Sequence, residues 1–126
     1  MDRAISQPKP GETTWLWLFK ILTGVLVVLI LAVHLIVQHL VNPDGLLTFE
    51  QVVQWVSTPW VALMEGTFVV LVITHALLGV RSVILDLHPS QGFLRILDLV
   101  FIVLGIVGIV YGFWLLRAIQ AHALGI

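Results

Sequence analysis

Apolar residues fall in three long runs separated by short polar breaks, at about 15–40, 60–86 and 93–118. Each run exceeds the ~20 residues that a helix needs to cross a bilayer core. The pattern predicts an all-α fold, an integral membrane bundle of three transmembrane helices in one domain covering 1–126. Trp15 and Trp17 open the first run as an aromatic belt would. Pro59 and Trp60 open the second, where a proline is tolerated in a first turn. In the third, Gly105, Gly108 and Gly112 form a small-residue stripe for close helix packing, and Tyr111 and Trp114 mark the far interface. Asp98, near the start of that run, favours the positive end of the helix dipole.

The breaks carry their own signals. Residues 1–14 are polar, interrupted by Pro8, Pro10 and Gly11, and lack the cleavage site that follows a signal peptide's apolar core, so they read as a short aqueous tail. Asn42-Pro43-Asp44-Gly45 is a turn. Thr48, with Gln51 three positions later, gives a capping box ahead of Val52, Val53 and Trp55, which predicts a short interfacial helix at about 48–57. His88-Pro89-Ser90-Gln91-Gly92 makes the second loop.

Composition agrees with the pattern. Of 126 residues 60% are hydrophobic and 10% charged, with a mean hydropathy of +1.09, far above a soluble domain. The absence of cysteine excludes disulfides, thiolate-held zinc or iron–sulfur clusters and covalent c-type haem. A net charge of −1 without a basic run leaves no electrostatic footprint for nucleic acid. Arg3, Lys9 and Lys20 flank the start of the first helix, and Arg81 and Arg95 the second loop, whereas the first loop has no basic residue and the C-terminal tail only Arg117. The positive-inside rule then places the N-terminus and second loop on the cytoplasmic or matrix side and the C-terminus outside.

The chemistry concentrates in Thr74–Asp86. Gly79, Ser82 and Asp86 lie four, seven and eleven positions after His75, so all four share one helix face. That face offers a ligand, a gap and a carboxylate. A neutral imidazole suits haem iron, and a glycine one turn away lets a flat macrocycle approach the backbone. Arg81 lies off the face, with a stem long enough to snorkel toward a haem propionate or a lipid headgroup. The alternative is that His75 only bonds another helix. On the first helix Thr23, His34 and Gln38 share a face that should point into the bundle, whereas His39 lies about 140° from His34 and reads as interfacial. Glu65 either bonds a neighbouring helix or reaches the interface, with the interface favoured.

The succession of His75, Gly79, Arg81 and Asp86 resembles the second transmembrane helix of the membrane-anchor subunits of succinate dehydrogenase, respiratory complex II. The likeness extends to the three helices, to the first loop at Gly45-Leu46-Leu47-Thr48-Phe49-Glu50 and to Ile109-Val110-Tyr111-Gly112-Phe113. It is nearest to the smaller of the two hydrophobic anchor subunits. The resemblance implies that His75 is an axial haem b ligand and that Asp86, with Ser82 one turn before it, either lies in the quinone vicinity or has a structural role at the helix end; beside such a haem Gly79 would pack on the ring and Arg81 could reach a propionate. It also implies a second hydrophobic anchor subunit, an iron–sulfur subunit and a flavoprotein subunit as partners, with succinate oxidised outside this chain. Several relatives have a quinone-bonding tyrosine after the aspartate. Leu87 stands there in this sequence, and that contact does not carry over.

Some relatives carry two haems. His34 lies roughly 28 Å from the inner start of its helix and His75 roughly 16 Å from the inner end of its own, too far apart in depth to share an iron. His34 therefore either ligates a second haem or satisfies a hydrogen bond in the bundle, with the second haem ahead because an idle intramembrane imidazole is costly. Three functions compete: an electron-transfer anchor of succinate dehydrogenase or, as a close variant, fumarate reductase; a haem-free structural membrane adaptor; and a transporter subunit with a Glu65, His34 and His75 proton relay. The last is disfavoured by the lack of an internal repeat or broken helix.

Overall fold

A computed structural model describes residues 8–40 and 47–125, and these are helical nearly throughout. The order is α1 (Thr14–Leu35), a single π turn (Ile36–Leu40), α2 (Phe49–Ser57), α3 (Pro59–Leu85) and α4 (Gln91–Ala123). Three of these, α1, α3 and α4, are long and apolar enough to cross a membrane. The three-helix expectation is met. The Asn42–Gly45 turn and Arg3 lie outside the described residues, as does the side chain of Gln38.

Local chemistry sets the helix ends. Thr13 Oγ1 accepts the Leu16 amide at 3.3 Å and caps α1. The Thr48–Gln51 capping box forms: Thr48 N–H donates to Gln51 Oε1 at 2.8 Å and Gln51 N–H to Thr48 Oγ1 at 3.4 Å. Ser90 Oγ accepts the Phe93 amide, so α4 begins at Gln91, two residues before the apolar run. The turn from α3 into α4 passes through His88 at φ 52°. Helix α1 gives way at Ile36 to the π turn, on which His39 is exposed.

Helix α4 continues to Ala123, five residues past the expected end. Its 33 residues make a rod of ~50 Å, longer than the ~30 Å hydrocarbon core. The extension has a partner in α2: Gln120 Nε2 donates to the Val56 carbonyl at 3.2 Å, and the Phe49 and His122 rings lie 5.7 Å apart. The apolar pattern marks where lipid ends, whereas the helix goes on for as long as α2 supports it.

The spans form a row with α3 in the middle. Helices α1 and α4 pack on α3 rather than on each other. Between α3 and α4 the glycine stripe works as a seam, in which a Cβ on Gly105 would meet Leu77 at 3.2 Å, one on Gly108 Ile73 at 3.3 Å and one on Gly112 Val69 at 2.6 Å. Gly66 of α3 returns the arrangement by taking Phe113. In lipid there is no hydrophobic drive between helices, so such close approach and a few polar pairs must hold them. Accordingly the buried positions within the spans include Thr23, Gly66, Arg81, Ser82 and Gly105.

Candidate functional site

The α1–α3 seam brings together Thr23 with His75 and His34 with Glu65. His75 Nδ1 lies 3.3 Å from Thr23 Oγ1, and its ring edge sits against Gly24, where a Cβ would come within 2.9 Å of Cε1. Thr23 is only 3% exposed. Its hydroxyl donates back into α1, to the Phe19 carbonyl at 2.8 Å and the Lys20 carbonyl at 3.1 Å. No partner for His75 Nε2 is present among the described residues.

Farther along the same seam His34 Nδ1 lies 2.9 Å from Glu65 Oε1, and the His34 ring stacks on Phe68 at 6.1 Å. Thr23 and His34 thus share the face turned to α3, as the spacing predicts. Glu65 is a correction: it bonds the neighbouring helix instead of reaching the interface. An apolar medium offers a carboxylate no water, so a histidine across the seam outcompetes the interface.

At the seam's other end the N-terminal segment folds over α3. Lys9 Nζ donates to Asp86 Oδ2 at 2.7 Å and to the Ser82 carbonyl at 3.3 Å. Lys20 Nζ donates to Glu12 Oε1 at 2.7 Å and to Ser82 Oγ at 2.9 Å. The Glu12 amide closes a turn on the Lys9 carbonyl, and Gly11 at φ 85° lets the chain bend there. Residues 9–12 are therefore part of the site and not a free aqueous tail. The reading from sequence missed Lys9, Glu12 and Lys20; two lysines and a glutamate at the entry to a span whose antiparallel neighbour ends in Ser82 and Asp86 were the available signal.

Arg81 behaves differently from expectation. Its Nε donates to Asp98 Oδ1 at 2.7 Å and its Nη2 to Oδ2 at 3.2 Å, so the guanidinium turns to α4 instead of snorkelling. Asp98 lies in the second turn of α4, where a paired cation outweighs the dipole as its reason to be there. The pair lines a mainly apolar crevice of about 320 Å³ formed by α3 and α4 with Leu16 of α1, whose lining omits His75, Gly79 and Asp86.

The fit to a haem rests on His75 and Gly79. A single axial imidazole with one uncommitted nitrogen is what a macrocycle's iron needs from one chain. A Cβ at Gly79 would meet nothing within 4 Å, so this chain leaves the face one turn from His75 uncovered. No cluster of three or more His, Cys, Asp or Glu able to hold a bare metal ion occurs among the described residues. Leu87, 78% exposed, has no hydrogen-bonding group on its side chain at the position after Asp86.

Residues 1–112 match the family model for the succinate dehydrogenase/fumarate reductase transmembrane subunit. Over 75 residues the chain is 29% identical to the succinate dehydrogenase hydrophobic membrane anchor subunit of Archaeoglobus fulgidus, a stretch covering 60% of this chain and 63% of that relative. The chain thus spans less than two thirds of the curated relative's length. No solved structure matches it.

Proposed function

The chain belongs to the succinate dehydrogenase/fumarate reductase transmembrane subunits, and from that premise we propose that it is the haem b-binding membrane anchor of a succinate:quinone oxidoreductase. The observation that carries the reading is the His75 imidazole, held on one nitrogen by Thr23, free on the other, and beside the open face at Gly79. His75 would hold the haem iron through its free nitrogen, and a second hydrophobic anchor subunit would cover the exposed side of the row and complete the pocket. When bound, the haem supplies a one-electron reservoir on the path to quinone.

The chain's own residues prepare the membrane surface for that exchange. Lys9 and Lys20 bring two ammonium groups beside Ser82 and Asp86. A quinone oxygen at this end meets charge-assisted donors in place of the tyrosine absent at Leu87. The same end carries Arg95 and faces the cytoplasm or matrix, where the iron–sulfur and flavoprotein subunits dock. His34 takes a structural part. Glu65 at 2.9 Å gives its Nδ1 a partner within the bundle and the Phe68 ring stacks on its face, whereas the face one turn from His75 is open.

The second reading, a haem-free adaptor, draws on the fact that both imidazoles already have partners within the chain. A reduced-minus-oxidised optical spectrum of the purified complex separates the two. We expect one b-type haem per complex, removed or shifted by His75→Ala while the polypeptide still inserts. Full haem content and an unchanged spectrum in that variant overturn the assignment.

A further inference from the structure

We propose that Thr23, on α1, is the positioning residue that sets the tautomer of His75, placing the proton on Nδ1 and leaving the lone pair on Nε2. The inference rests on the reading of His75 as an axial ligand and names the nitrogen used and what selects it.

A threonine hydroxyl has one proton and two lone pairs. The Thr23 proton is committed to the carbonyls of its own helix, 2.8 Å away at Phe19 and 3.1 Å at Lys20. What Thr23 offers across the seam is a lone pair. With that proton so placed, His75 Nδ1, at 3.3 Å, is the donor, and a neutral imidazole has only one N–H. Nε2 is left unprotonated, in the form that ligates a metal. Gly24 lets the ring edge approach α1, since any side chain there would push it off the Thr23 oxygen. Across this apolar seam the Thr23 oxygen is the acceptor the chain offers to Nδ1, so it biases the ring toward the Nδ1–H tautomer. Hydrogen bonding at the non-ligating nitrogen also raises the donor strength of a ligand histidine.

The test uses the intact complex with its haem. Thr23→Val keeps the shape of the side chain and removes the acceptor; Thr23→Ser keeps the hydroxyl. The readouts are haem per complex after dilution, the low-spin electron paramagnetic resonance signal of the ferric haem, and its midpoint potential. In T23V we expect haem to be held ~10–100-fold more weakly, with a raised midpoint potential, because a weaker imidazole donor favours the ferrous state. T23S should match the wild type in all three. Thr23→Ala removes the same oxygen with less bulk and serves where T23V does not assemble. Wild-type retention, potential and resonance signal in T23V or T23A overturn the proposal, as does a loss of thermal stability alone, which is what a merely structural threonine would give. His75→Ala distinguishes the two levels: haem lost there with a silent T23V refutes only the role of Thr23, whereas haem kept there refutes the ligand reading and this inference together.

Discussion

Gly24→Ala tests the packing half of the site without touching a polar atom. The added Cβ would sit 2.9 Å from His75 Cε1 and 3.4 Å from Nδ1. Carbon atoms in contact prefer ~3.5–4.0 Å, so the ring must retreat by roughly 0.6 Å. The Thr23–His75 contact is already long at 3.3 Å. A retreat of that size carries it to ~3.9 Å, past any useful hydrogen bond. Two opposing terms govern stability. Overpacking costs ~1–3 kcal/mol, and replacing glycine by alanine inside a helix returns ~1 kcal/mol. The net effect on the stability of the complex is therefore limited to ~0–2 kcal/mol, whereas the imidazole is displaced and its tautomer released. The expected result is haem loss out of proportion to destabilisation, read as haem per complex against the melting temperature of the same preparation. A variant that keeps wild-type haem content and spectrum would show that the ring does not depend on this approach, and the packing argument would fail.

Two further outcomes follow from the fold. Gly112→Ala places a Cβ 2.6 Å from Val69 Cγ1 and should destabilise the α3–α4 seam by ~1–3 kcal/mol, with Val69→Ala in the same chain recovering part of the loss; additive single and double variants would mean that the two residues do not meet. The chain has no cysteine, so single cysteines report topology cleanly. One replacing Ser90 should be shielded from an impermeant thiol reagent added outside and one replacing Thr48 labelled, and the reverse pattern would invert the orientation and the docking side together.

The spans and caps could be read from the sequence because each depends on residues close in the chain. Period and length mark α1, α3 and α4, and Thr48 with Gln51 fixes a helix start by a bond between neighbours. The face of α1 that carries Thr23 and His34 was legible for the same reason. What periodicity leaves open is the register between helices, and that register chooses partners. Glu65 reads as interfacial until α1 is set beside it, and Asp98 as a dipole residue until Arg81 arrives from α3. The N-terminal segment illustrates the limit most clearly. Its prolines and glycine describe a loop correctly, but that the loop lies on Ser82 and Asp86 depends on α3 ending where α1 begins.

Once one cross-helix contact is known, the antiparallel geometry supplies the rest. Moving eleven residues along α1 from Thr23 to His34 is matched by moving ten back along α3 from His75 to Glu65. At ~1.5 Å per residue the two histidine sites stand ~15 Å apart in depth. One iron cannot span that distance, so each imidazole must be explained by what lies at its own level. At the level of His34 the chain provides a carboxylate and a stacked phenyl ring. At the level of His75 it provides one hydroxyl lone pair on α1, with the open face at Gly79 one turn farther along α3. The open face is what makes the second environment the one with room for a group from outside the chain. Because α1 and α4 both lean on α3 instead of closing on each other, the row leaves a broad side on which a second anchor subunit can supply it.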